Sequence, residues 1–103
     1  MKIRQNGETL DVTEIQQLGA ANAGVFESAI FAALSSGPHR IDIDLSETGF
    51  VDCGGVGALV AVRNCARRRN ADATIRLLNP AVLARRLLKL TRMDCSFSIT
   101  VTE

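Results

Sequence analysis

Between Arg40 and Leu45 the chain alternates strictly, with Ile41, Ile43 and Leu45 on one side of an extended strand and Asp42 and Asp44 on the other. This predicts a strand with one buried and one wet face. The same period of two closes the sequence, where Phe97, Ile99 and Val101 alternate with Ser98 and Thr100 in a strand over Ser96–Thr102. Thr74–Leu78 predicts a further strand. At the start, Lys2–Arg4 and Glu8–Val12 flank Asn6-Gly7, a dipeptide that readily takes the positive φ angles of a two-residue type I′ turn. The chain is expected to open with a β-hairpin.

Elsewhere the period lengthens to that of a helix. From Asn22 to Leu34 a one-sided stripe of Phe26, Ala29, Ile30, Ala33 and Leu34 runs up to Ser35-Ser36-Gly37-Pro38, which ends it. A second helix is predicted over Gly54–Arg69, with Val56, Leu59, Val60, Val62 and Ala66 on its apolar side and Asn70-Ala71-Asp72 as the turn beyond. A third starts with Asn79 as N-cap and Pro80 at the first helical position, and its seam is Leu83, Leu87 and Leu90. Strands alternating with helices predict an α/β fold with a mixed sheet and right-handed parallel crossovers. Because the strands keep a polar side, the helices should cover mainly one face.

Composition sets the scale. At 103 residues, 47% of them hydrophobic, the chain suits one domain, residues 1–103, with a core of its own. No apolar run approaches the roughly 20 residues that cross a bilayer, and the N-terminus lacks the apolar stretch of a signal peptide. A cytoplasmic protein without membrane insertion is expected. Cys53, Cys65 and Cys95 are odd in number and widely spaced, and His39 is the only histidine, so free thiols are expected and no metal site. The net charge of +1 conceals a polarity: residues 1–52 carry three basic and eight acidic side chains, residues 53–103 nine and three. Much of the basic excess, Arg67, Arg68, Arg69, Arg85, Arg86, Lys89 and Arg92, falls at or near the predicted ends of two helices, where cations complement the helix dipole. With a pI near 7.8 the chain is not basic enough for nucleic acid.

The least ordinary stretch is Asp52-Cys53-Gly54-Gly55-Val56-Gly57. Three glycines in the first turn of a helix cost up to about 1 kcal/mol each relative to alanine. Two readings justify them: close approach of a bound protein segment or phosphate to a helix N-terminus, or a strand-to-helix turn packed under a neighbouring loop. No Gly-Lys-Ser/Thr follows, so this is not a P-loop.

Ile41-Asp-Ile-Asp-Leu-Ser46, Phe50-Val-Asp-Cys-Gly-Gly-Val-Gly-Ala-Leu59, Arg76-Leu-Leu-Asn-Pro80 and Leu87-Leu-Lys-Leu-Thr-Arg-Met93 resemble, in order and spacing, the successive blocks of STAS domains, especially bacterial anti-sigma factor antagonists. The resemblance implies a four- to five-stranded sheet backed by helices. It also implies a binding loop at Asp52, Cys53, Gly54, Gly55, Val56 and Gly57, used together with the second helix. The implied partner is an anti-sigma factor with a kinase-like ATPase fold, and no cofactor is implied. In that family the loop's first serine is phosphorylated to break the complex, and by position it falls on Cys53. A thiol is not a substrate for a serine kinase.

The missing serine leaves other readings open. One is the small STAS subunit of a lipid-trafficking ABC transporter, which contacts its ATPase subunit through a similar loop. Another is a redox sensor, since a cysteine at a helix N-terminus can have a depressed pKa, although Asp52 opposes a thiolate. Catalysis has little support: Cys53 would need a base, His39 lies in a distant loop, and Asp42 and Asp44 share one strand face without a recognisable pocket. No catalytic residue is assigned.

Overall fold

Ile41 and Ile43 are fully buried, and the strand that carries them, β4 (Arg40–Asp44), runs through the middle of a five-stranded sheet. The computed structural model describes residues 1–34, 37–92 and 97–101. β4 is flanked in parallel by β2 (Thr9–Thr13) and β6 (Thr74–Leu78), with Ile41 opposite both Leu10 and Ile75. β1 (Lys2–Asn6) closes one side antiparallel to β2, and β7 (Ser98–Thr100) closes the other parallel to β6. Ser96 and Thr102 of the expected last strand lie outside the described residues.

The opening hairpin forms, but its turn is one place later than expected. Asn6 pairs with Thr9, so the two-residue loop is Gly7-Glu8, and of these only Gly7 has a positive φ, +64°. Glycine at the first loop position followed by an ordinary residue is the pattern of a type II′ turn rather than a type I′ turn. Asn6 is therefore a ladder residue.

One face of the sheet presents Leu10, Val12, Ile41, Ile43, Ile75 and Leu77, all at most 3% exposed. Onto it pack α1 (Ala23–Ala33), through Phe26 and Ile30 with Leu34 just beyond, and α2 (Cys53–Arg69), through Val56, Leu59, Val62 and Ala66. α2 spans the segment expected, with Arg67, Arg68 and Arg69 in its last turn. Two short strands, β3 (Gln17–Leu18) and β5 (Phe50–Val51), pair in parallel as a separate ribbon. Two residues are too few to carry a period, and nothing in the sequence marked β3.

α3 (Val82–Leu90) departs most from expectation. Its N-cap is Ala81, not Asn79. Asn79 takes a left-handed conformation with φ +53° and donates its backbone N–H to Thr100 of β7 at 2.7 Å, which turns the chain before the helix can begin. Asparagine tolerates that region better than most residues, so the same side-chain chemistry that suits a cap here serves a turn. The seam is also rotated: Ala84 and Leu88 are buried and Leu87 is half-buried against the core, as expected of it, whereas Leu83 and Leu90 are 75% and 82% exposed. Arg85 and Arg86 consequently stand in mid-helix, and Lys89 alone occupies the last turn.

The second face of the sheet is polar, as expected, but its centre is not wet. Register aligns Arg4, Asp11, Asp42 and Arg76 across four adjacent strands. Asp42 is only 6% exposed because Arg76 lies over it, donating from Nε and Nη2 at 2.8 Å each, while Arg40 Nε approaches at 3.3 Å. The hydrogen bonds and charge of Asp42 hold the Arg76 guanidinium above its usual pKa, desolvation opposes this, and Asp11 adds to it.

Candidate functional site

Asp52 stands between β5 and α2 in extended conformation, with φ −124° and ψ −175°, and its side chain caps the helix by accepting the Gly55 N–H at 3.0 Å. The same oxygen, Oδ1, accepts the N–H of Ala20 at 3.0 Å, and Oδ2 approaches it at 3.3 Å. One carboxylate thus ties the loop after β3 to the first turn of α2. That loop is held from its other side by Asn22, whose Oδ1 accepts the Gly19 N–H at 2.9 Å and whose Nδ2 donates to the Gln17 carbonyl at 2.8 Å.

The tether explains two of the three glycines. A Cβ on Gly54 would lie 2.6 Å from Ala20 Cα, and one on Gly55 would fall on the Leu18 carbonyl oxygen. Both must be glycine because Leu18–Ala20 lies directly against the helix. Gly57 is different: its helical position is exposed and a Cβ there would meet nothing within 4 Å. Packing under the neighbouring loop accounts for Gly54 and Gly55 and leaves Gly57 unaccounted for.

Of the six residues singled out in the sequence, Val56 is 4% exposed and belongs to the core, and Gly55 is buried beneath the loop. Asp52 and Gly54 are half-buried. Cys53, a free thiol and the first helical residue, is exposed, and so is Gly57 one turn later on the same side of α2. Ala20, against Gly54, and Phe50, against Gly19, are also exposed, the latter at 54%. The part of the site contributed by Gly19, Ala20 and Asn22 escaped sequence reasoning. A Cβ on Gly19 would lie 2.8 Å from the Phe50 ring and 3.0 Å from Asp52 Oδ2, contacts between segments distant in sequence that leave no local signal.

Other candidates are not brought to this place. His39 precedes β4, whereas Cys53 follows β5 at the start of α2, and no contact joins them among the described residues. His39 instead meets Asn70 Nδ2 at 3.0 Å and Glu8 at 3.5 Å. Asp42 is engaged by Arg76, and Asp44 accepts the Ser46 N–H at 2.9 Å. Among nearby hydroxyls, Thr48 is buried and donates to the Ile15 carbonyl at 2.6 Å, whereas Ser46 is exposed. Cys65 is a half-buried free thiol against the core, and Cys95 lies outside the described residues.

A family model described as "Mlab, STAS domain" matches residues 1–99. Among solved structures, a Thermotoga maritima protein assigned as an anti-sigma factor antagonist superposes with a TM-score of 0.87 at 22% identity, covering 98% of this chain and 86% of that one. An anti-sigma factor antagonist from Mycobacterium paratuberculosis gives 0.83 at 21% identity, covering 96% and 82%. The phosphorylated form of the Bacillus cell fate determinant SpoIIAA gives 0.69 at 18% identity, covering 99% and 91%. These likenesses establish a common fold. No curated protein gives a significant sequence match.

Proposed function

The chain belongs to the STAS domain family, and from that premise we propose that it acts by binding a protein partner, an anti-sigma factor with a kinase-like ATPase fold, through the rim Asp52–Gly57 and the exposed side of α2. Residues 1–103 then form one binding domain of the cytoplasm, with release of a sigma factor as its output.

The observation that carries this reading is Gly57. A mid-turn glycine with open space above it costs helix stability and is required by no neighbour among the described residues, which supports close approach by another molecule. Cys53, one turn away, presents a small neutral side chain at the place where the family's phosphoserine stands. A phosphate there would bring about two negative charges beside Asp52 and repel a partner fitted to a small group. With a thiol in that place, binding is constitutive, or is set by abundance or thiol oxidation.

The test is titration of the wild-type chain and of Cys53→Asp against anti-sigma ATPases encoded in the same genome, followed by intact-mass measurement after incubation with ATP. Binding by the wild type, weakening of at least tenfold in Cys53→Asp, and no added phosphate are expected. Failure to bind every such ATPase would refute the partner, and an inhibitory phosphate on the wild-type chain, for instance at Ser46, would refute constitutive binding.

A second reading, the STAS subunit of a lipid-trafficking ABC transporter, is favoured by one observation: the exposed residue at the switch position is a thiol. Binding to a transporter ATPase subunit in the same titration would select it.

A further inference from the structure

The outward side of α3 has been assigned no role. Ala84 and Leu88 face the core, and on the opposite side two parallel ridges stand in solvent. One is apolar, Leu83 and Leu90, 75% and 82% exposed, with the half-buried Leu87 between them packed against the core. The other is basic, Arg85, Arg86 and Lys89, continued by Arg92 just past the helix. Val82, 52% exposed, lies at its head.

Leucines at this spacing usually face a core, but Leu83 and Leu90 do not. Among the described residues no acceptor engages the side chains of Arg85, Arg86, Lys89 or Arg92, and the sequence holds no Asp or Glu from Ala73 to Met93. Two cavities lie elsewhere, beside the start of α1 and on the polar face of the sheet. α3 is a convex ridge rather than a groove.

We propose that this face of α3 docks the protein on an anionic lipid surface, with Leu83 and Leu90 entering the headgroup boundary and the four cations meeting lipid phosphates. Charge complementarity selects an anionic surface. Protruding apolar side chains select a soft, planar one, since a protein would have to supply a matching groove. An amphipathic helix with apolar and basic sides is the form that lies in a membrane interface without crossing it, and no helix among the described residues is long and apolar enough to cross. The inference rests on α3 alone and is independent of the partner bound at Cys53 and Gly57.

The experiment is flotation of the full chain with vesicles of phosphatidylcholine alone and of phosphatidylcholine mixed with phosphatidylglycerol. Co-flotation with the mixed vesicles only, reduced by salt, is expected. Arg85→Gln and Arg86→Gln together should weaken it by more than tenfold, since each cation near an anionic surface contributes roughly fivefold. Leu83→Ser with Leu90→Ser should also weaken it, and as both side chains are exposed the melting temperature should hold. Cys53→Asp should float like the wild type. No flotation, flotation indifferent to the leucines, or a ridge whose variants impair only binding to a protein partner would each overturn the proposal.

Discussion

Asp52 accepts the backbone N–H of Ala20 at 3.0 Å across 32 positions of sequence, with the same oxygen that caps α2. Losing this carboxylate removes two interactions at once. Asp52→Ala should cost about 1 kcal/mol for the cap and about 1 kcal/mol more for the tether, read as a shift in the urea midpoint. Asp52→Asn keeps one acceptor oxygen and should recover at least half of the loss.

The glycines of α2 should separate cleanly. Gly55→Ala drives a methyl group into the Leu18 carbonyl oxygen and should destabilise the fold severely or prevent expression in soluble form. Gly57→Ala fills open space on a helix and should stabilise by roughly 0.5–1 kcal/mol while weakening partner binding. Thermal melts and the binding titration together check both. A stabilised Gly57→Ala that binds undiminished would remove the main support for the proposed interface.

α3 offers a contrast between two leucines two residues apart. Leu88 is 1% exposed and Leu90 is 82% exposed. Leu88→Ala should therefore cost about 2–5 kcal/mol, and Leu90→Ala no more than about 0.5 kcal/mol in either direction. Chemical denaturation of the two variants checks the rotation of the helix directly.

Asp42 and Arg76 should behave as a coupled pair. Removing Asp42 leaves Arg76 without its acceptor, and removing Arg76 leaves the covered Asp42 with Arg40 alone, so each single alanine variant should melt lower, and the double variant should lose less than the sum. The sign of the pH effect follows from the raised Arg76 pKa. A cation whose folded pKa exceeds its unfolded one stabilises fully below the unfolded value and loses that contribution only as pH climbs through the folded one. Since both lie in strong alkali, Arg76→Gln should lower the melting temperature equally in mildly acidic and mildly alkaline buffer.

Where side-chain periodicity and burial coincide, the chain could be read directly. β6 occupies the residues expected, and α2 gains only Cys53 at its start. Leu83, Leu87 and Leu90 show the limit of that method. Their spacing is that of a core seam, but the helix starts after a left-handed Asn79 and presents Ala84 and Leu88 inward, a rotation that the pattern of leucines does not encode. Asp42 shows a second limit: alternation places it opposite Ile41 and Ile43, yet only the strand order brings Arg76 over it. At the candidate site the residues from Asp52 to Gly57 announced themselves by their glycines. Gly19, Ala20 and Asn22 did not, because their roles arise from contacts made by folding.

The strand order also bears on how the molecule avoids associating with itself. A sheet edge offers unpaired backbone groups to any other chain, and natural sheets blunt their edges with charge or brevity. At one border Lys2 and Arg4 stand exposed along β1, so a second copy approaching in register would meet like charge. At the other border β7 contributes three residues, Ser98–Thr100, too short a template to recruit a strand firmly. Growth of the sheet into fibrils is opposed on one border by electrostatics and on the other by length, and replacing Lys2 and Arg4 with β-branched apolar residues would open the first of these to aggregation.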